Sequence, residues 1–292
     1  MKNLLLVLLI LFSGLACLAA QEPWKLSADI NLTVNQSAYS NNWNGTELGG
    51  IAWTASSNLS AEKQLSKLLQ SKSTLKLAFG QTHQQKNLAD GSKIWEKPIK
   101  STDKIDLESV LKLTADIFID PFVSGRWESQ FLDQVPGEET LYLNPSLFTE
   151  TAGLSKMIID ADHQKLSTRL GAAFRQKLER SVLNTDTKEY EDIVTNDGGA
   201  EFIAEYLKTI PARDIKITSR IELYQAMFNS KEDELANDYW KALDLKWNST
   251  LSSKIWSALS LNLTFDWIYE KEQDLAGQFK QTLGLGVSYR LY

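Results

Sequence analysis

The strongest constraint on this chain is a two-residue rhythm at both of its ends. Across 281–292, Leu283, Leu285, Val287, Tyr289 and Leu291 alternate with Thr282, Gly284, Gly286, Ser288 and Arg290. Across 24–35, Trp24, Leu26, Ala28, Ile30, Leu32 and Val34 alternate with Lys25, Ser27, Asp29, Asn31, Thr33 and Asn35. Successive side chains of a β-strand point to opposite faces, so each segment has one apolar face and one polar face. Strands of about ten residues with this pattern have the length and polarity needed to cross a bilayer as part of a closed barrel.

The N-terminus reads as an export signal. Lys2 supplies positive charge, Leu4 to Phe12 form an apolar core, and Ala16, Ala19 and Ala20 are small residues beside a cleavage point. We expect residues 1–20 to be removed before Gln21, because the core is too short to span a membrane as a helix. The only cysteine, Cys17, lies in this stretch. Leu15-Ala16-Cys17 offers a lipidation reading, to which Gly14 is a poor fit. Residues 21–292 hold no cysteine and therefore no disulfide. They also lack the apolar run of about twenty residues that a transmembrane helix requires. A net charge of −6 argues against a nucleic-acid partner, which would need a basic stripe against phosphates.

Twelve alternating segments follow: 24–36, 48–60, 73–83, 103–119, 122–132, 142–153, 165–178, 199–210, 214–228, 240–251, 259–267 and 281–292. The cleanest sets Leu259, Leu261, Leu263, Phe265 and Trp267 against Ser260, Asn262, Thr264 and Asp266. The eighth is ambiguous, and Pro145 weakens the sixth. An even count fits a single-chain, up-and-down antiparallel transmembrane β-barrel, and 21–292 are expected to form that one domain. Connections after odd segments are long: 37–47, 84–102, 133–141, 179–198, 229–239 and 270–278. Several after even segments are short, such as 120–121, 211–213 and 252–254. This asymmetry is that of an outer-membrane barrel with both termini in the periplasm. Two even connections, 61–72 and 154–164, are longer, and Leu65, Leu68 and Leu69 suggest a short amphipathic helix in the first. Trp24, Trp53, Trp127, Trp247, Trp256, Trp267, Tyr269 and Tyr289 supply an aromatic girdle. In a soluble sandwich or propeller, the alternative reading, the same residues would be core.

No motif frames a catalytic centre. The two histidines, His83 and His163, fall at opposite ends of the expected barrel, so they share neither a metal nor a proton relay. No phosphate-binding loop, dinucleotide fingerprint or metal-ligand spacing occurs, and no cofactor is expected. The polar faces instead converge charge of both signs on the lumen: Asp106, Glu108, Lys112 and Asp116, then Arg126 and Glu128, then Glu150, Arg169 and Arg175. Lys216, Arg220 and Glu222 follow, with Asp244, Lys246 and Asp266 beyond them. Such charges either pair and brace the barrel or form a constriction that selects solutes. The expected function is a narrow channel or transport-related barrel for small polar solutes. The alternatives are a structural, assembly or interaction subunit with an ion-paired closed lumen and, third, a lipid-modifying enzyme.

The outer connections are mostly acidic, as at Glu138, Glu139, Asp186, Glu189, Glu191 and Asp192. The 84–102 connection differs, with Lys86, Lys93, Lys97 and Lys100 around Trp95. Expected partners are outer-membrane lipid and lipopolysaccharide, and the barrel-assembly machinery during biogenesis.

Asn42-Trp43 followed by Gly49-Gly50, and Asn144-Pro145-Ser146-Leu147-Phe148 with Glu150 and Ala152-Gly153, carry a family resemblance. On these residues the chain resembles an uncharacterised family of outer-membrane barrels from Bacteroidota-type Gram-negative bacteria. The spacing after Trp43 is stretched, and the apolar parity of the last segment ends on Leu291 rather than Tyr292. The resemblance implies fold and location, and brings no activity or catalytic residues with it.

Overall fold

The computed structural model describes residues 23–40, 47–89, 92–114, 118–134, 140–184, 189–256 and 259–291. Twelve strands form its wall: β1 Lys25–Ser37, β2 Gly50–Ser66, β3 Leu69–Asn87, β4 Ile99–Leu113, β5 Asp120–Ser129 and β6 Ser146–Ala161. They continue as β7 Gln164–Asn184, β8 Glu189–Ile210, β9 Ile215–Asn229, β10 Leu243–Lys254, β11 Leu259–Tyr269 and β12 Gln278–Leu291. Each strand pairs antiparallel with the next, and β1 pairs with β12 through Ala28 opposite Leu291 to Thr33 opposite Gly286. The sheet therefore closes on itself and leaves no barrel edge. The two apolar rhythms at the chain ends meet along this seam.

The wall is inverted relative to a soluble protein. Leu26, Ile30, Leu32 and Val34 on β1, with Leu283, Leu285 and Val287 on β12, face outward and are each about half exposed or more. Buried side chains are instead polar and face inward, among them Asp106 at 3% and Glu222 at 4% exposure. Among the described residues no helix is long and apolar enough to cross a membrane. Two indole N–H groups on the outer face are satisfied within the wall: Trp247 donates to Ser219 Oγ at 2.9 Å and Trp127 to Ser146 Oγ at 3.3 Å. Trp127 also stacks on Phe148 of the next strand, with ring centroids 6.4 Å apart.

Several connections are shorter than the sequence suggests. The 61–72 stretch is no helix: β2 runs to Ser66, Lys67 and Leu68 turn, and β3 starts at Leu69. Gln64, Gln70 and Lys72 keep the two-residue alternation, which three leucines at helical spacing do not overcome. Likewise β6 extends to Ala161 and β7 begins at Gln164, leaving only Asp162 and His163 between them. Asp120 and Pro121 open β5 rather than forming the turn before it. The long 179–198 connection is largely strand, since β7 continues to Asn184 and β8 starts at Glu189. Trp240 is not in a strand: Tyr239–Lys241 make a 3-10 turn, and β10 begins at Leu243.

Short turns and both ends of the described chain thus share one end of the barrel, the turn end. Long connections share the other, the loop end. At the loop rim, the Asp103 carboxylate accepts the backbone N–H groups of Phe131 and Leu132 at 2.7 and 2.9 Å. Asn144 donates to Asp133 Oδ2 at 2.6 Å and to the Arg180 carbonyl at 3.1 Å, and accepts the Arg180 N–H at 2.7 Å. The Asn144–Phe148 motif therefore ties the 130–145 connection to β7. Residues 1–22, with Cys17 and the expected cleavage point, lie outside the described residues, as do Asn42, Trp43 and Asp116.

Candidate functional site: an ion-pair layer across the lumen

Strand register decides which charges meet. On β4, the alternation that points Leu107 outward turns Lys104, Asp106 and Glu108 inward. On β5 the inward set is Arg126 and Glu128, on β7 Arg169 and Arg175, and on β9 Lys216, Arg220, Glu222 and Tyr224.

These side chains form one connected layer. Arg126 grips Asp106 with both ends of its fork, Nε to Oδ1 and Nη2 to Oδ2, each at 2.9 Å. Its Nη1 reaches Glu222 Oε2 at 2.6 Å, and Nη2 lies 3.0 Å from Glu128 Oε1. Arg220 binds Glu108 at 3.0 Å, Glu205 at 2.7 Å and Glu222 at 3.3 Å. Arg169 Nη2 meets Glu108 Oε1 at 2.7 Å, and Lys104 adds a 3.2 Å contact to Asp106. β4 and β9 are not neighbours in the wall. The pairs Arg126–Glu222 and Arg220–Glu108 are therefore struts across the lumen. Guanidinium suits this role because its planar fork donates to several carboxylates in fixed directions.

A second cluster sits nearer the loop end. Trp240, from the 230–242 connection, is 5% exposed and packs with Ala173, Tyr224 and Ala226. Arg175 lies over the Tyr224 ring, 3.2 Å from its centroid, and pairs with Asp244 at 3.3 Å. The Tyr224 hydroxyl donates to Asp197, and Lys246 pairs with Glu270 at 3.0 Å. Outside the wall, partial burial first and the Asp197 charge second push the Glu272 carboxyl above its ordinary value.

Of the lumen residues expected from sequence, Asp106, Glu108, Arg126, Glu128, Arg169, Arg220 and Glu222 join the central layer. Arg175, Asp244 and Lys246 lie on its loop side. Lys112 pairs with Asp120 at 3.6 Å and Lys216 with Asp29 at 3.1 Å, both toward the turn end. Asp266 accepts from Asn248 Nδ2 at 2.6 Å. Glu150 is a correction. On β6 the inward residues are Thr149, Thr151 and Ser155, so Glu150 faces outward between Gly125 and Phe174 and is exposed. The strand's mixed composition hid its parity, and only the buried threonines reveal it.

Sequence reasoning left out Lys76, Lys104, Glu201, Glu205 and Asp29 from the lumen set. Lys76 and Lys104 were readable by extending the alternation of their strands. Glu201 and Glu205 share an inward face with Ile203, and that apolar intruder made the segment ambiguous. Glu201 accepts from Thr151 Oγ1 at 2.8 Å. His83 lies on β3 toward the loop end and His163 in a two-residue turn at the opposite end. Among the described residues no group of side chains has the make-up of a metal site.

No family model matches the chain, and no curated protein matches it. Solved structures similar in fold include the translocator domain of the autotransporter NalP from Neisseria meningitidis, at 8% identity and TM-score 0.39. That alignment covers 99% of this chain and 95% of that one. An outer-membrane channel from Pseudomonas putida F1 aligns at 11% identity and TM-score 0.40, over 93% and 96% of the two chains. OccK5 of Pseudomonas aeruginosa aligns at 9% identity and TM-score 0.29, over 92% and 98%.

Proposed function

We propose that this is an outer-membrane barrel whose lumen is closed to free diffusion at rest, and which works as a structural or interaction subunit of that membrane. The observation that carries this is the pair of struts from β4 and β5 to β9, Arg126–Glu222 and Arg220–Glu108, with side chains at most 12% exposed. Trp240 and Tyr224 add a second stopper. Short turns and chain ends at one end, long connections at the other, support an orientation with the turn end in the periplasm. The resemblance carried by Asn144–Phe148 supports a Bacteroidota-type Gram-negative source. Outer-membrane lipid and lipopolysaccharide are then the surroundings, with the barrel-assembly machinery acting during biogenesis. Lys86, Lys93 and Lys97 beside exposed Ile94 and Trp95 suit anionic headgroups. The reading assigns no catalytic step.

One feature favours a second reading, a narrow channel for small polar solutes. The wall from β11 through β12, β1 and β2 carries short, mostly uncharged inward residues, including Asn262, Gly284, Thr33 and Asn58. Recording from the purified barrel in a planar bilayer separates the two. The closed reading expects no steady conductance at low voltage. A stable open level, with ion selectivity altered by Arg126→Ala or Arg220→Ala, would replace it with the channel.

A further inference from the structure

The central layer uses every carboxylate it contains and still leaves cationic donors over. Asp106 is taken by Arg126 and Lys104, Glu108 by Arg169 and Arg220, and Glu205 by Arg220. Arg169 is 9% exposed, yet its buried Nη1 has no hydrogen-bond partner. Lys76 and Lys72 are inward residues of β3, set by the pairing of Lys76 with Asp106 and of Lys72 with Val110. Among the described residues neither ammonium makes a hydrogen bond or ion pair.

These unused donors converge. Arg169 and Arg220 both bind Glu108, which stands opposite Thr74 on β3 with Lys72 and Lys76 as the next inward residues on either side, and Arg220 also binds Glu205 of β8. They therefore come from β3, β7 and β9 to one region of the lumen beside β8. Glu62 faces Lys72 across the β2–β3 ladder, but its carboxylate is engaged by the Gln70 amide at 3.0 Å. Small hydroxyl residues complete the surroundings: Thr74 is directly opposite Glu108, and Ser167 opposite Glu205. A buried guanidinium N–H without an acceptor carries its full desolvation cost, so native proteins supply one. Trp240 and the ion-pair layer obstruct approach from the loop end, which leaves the turn end as the way in.

We propose that the turn-end face of the layer is a binding site for a small oxyanion, a phosphate or carboxylate borne by a free solute. Lys72, Lys76 and the spare N–H of Arg169 supply the donors. Two flexible ammonium groups and one guanidinium edge, arriving from opposite walls, can surround a tetrahedral or trigonal anion without disturbing the struts. The site lies inside the wall, away from hydrocarbon, so the ligand is a dissolved solute rather than a lipid headgroup. It does not depend on whether the barrel conducts.

Equilibrium dialysis of the detergent-solubilised, folded barrel against radiolabelled inorganic phosphate tests this at constant ionic strength. The expected result is saturable binding at one site, competed by sulfate or acetate but not by chloride at the same ionic strength. Lys72→Gln combined with Lys76→Gln should weaken it at least tenfold while the boiled and unboiled protein still migrate differently on a denaturing gel. If the double variant does not fold, Lys72→Gln alone, at an exposed position, should weaken binding severalfold. Absence of saturable binding by the unaltered protein would overturn the site. So would undiminished binding by the folded variant, since the anion would then be held elsewhere.

Discussion

The two halves of the lumen solve the same problem in opposite ways. On β4, β5, β7, β8 and β9 long charged inward residues span the space to reach partners on distant strands, while β6 between them offers Thr149, Thr151 and Ser155. From β11 round to β2 they are mostly short and uncharged, and their hydrogen bonds stay close to the wall except at Asp29, which pairs with Lys216 of β9, and Lys280, which donates to the Ser101 carbonyl and Thr102 Oγ1 of β4. Ser27 and Ser60 hydroxyls meet at 2.7 Å, and Asn262 Nδ2 reaches Ser260 Oγ at 3.0 Å and Asn31 Oδ1 at 3.2 Å. Gly284 takes the contrast to its limit, because a Cβ there would lie 2.1 Å from Thr33 Cγ2. The cross-lumen pairing is therefore lopsided: one half supplies most of the struts, and the other supplies a smoother wall beside them. The charged half is connected through shared carboxylates, so its parts stand or fall together. The neutral half is mainly a set of local contacts.

The widest separation between the halves is expected from Arg126→Met. It leaves Asp106 and Glu222 buried without their principal partner, a change that costs about 3–5 kcal/mol. Urea unfolding of the detergent-solubilised barrel, followed by its gel mobility, should show a clearly lowered midpoint. A midpoint within error of the unaltered protein would mean the layer is wet and loosely held. On the neutral side, Gly284→Val should cost about 1–3 kcal/mol through overpacking against Thr33. If it cost as much as Arg126→Met, the two walls would not differ as described. Asn262→Ala, which removes one local bridge, should cost about 1 kcal/mol. A loss several times larger would show that the neutral wall too is cooperatively linked.

Most of the wall was legible because its parity was clean. All twelve segments correspond one to one with barrel strands, and β11 was read almost to the residue from five apolar positions in strict alternation. What failed was punctuation. Nothing in Ala61 to Lys72 marks a turn, since neither proline nor glycine occurs there, so a two-residue hairpin was mistaken for a longer connection. The candidate site was legible as a list but not as a network. Alternation says that Arg126, Arg220 and Glu222 face inward, yet only the register between strands brings β5 to the height of β9. Trp240 reads in the sequence as the first residue of the tenth segment, and its burial follows instead from a connection folding inward.

The smallest expected effect tests the comparison from outside it. Glu150 belongs to the inner set by composition and to the outer wall by geometry. Its neighbours there are Gly125 and Phe174 across the ladders and Phe148 along its own strand. No ion pair or hydrogen bond holds it among the described residues. An acidic side chain on the lipid face costs little when it sits near the interface and more toward the bilayer midplane. Glu150 lies two residues along β6 from the stacked Trp127–Phe148 pair, close to an aromatic girdle, so its penalty should be small. Glu150→Leu is therefore expected to leave the unfolding midpoint unchanged or to raise it by no more than about 1 kcal/mol in stability. The three inner-face substitutions are expected to lower stability, whereas this one is not. A marked loss, comparable to that of Arg126→Met, would return Glu150 to the lumen and reverse the parity assigned to β6.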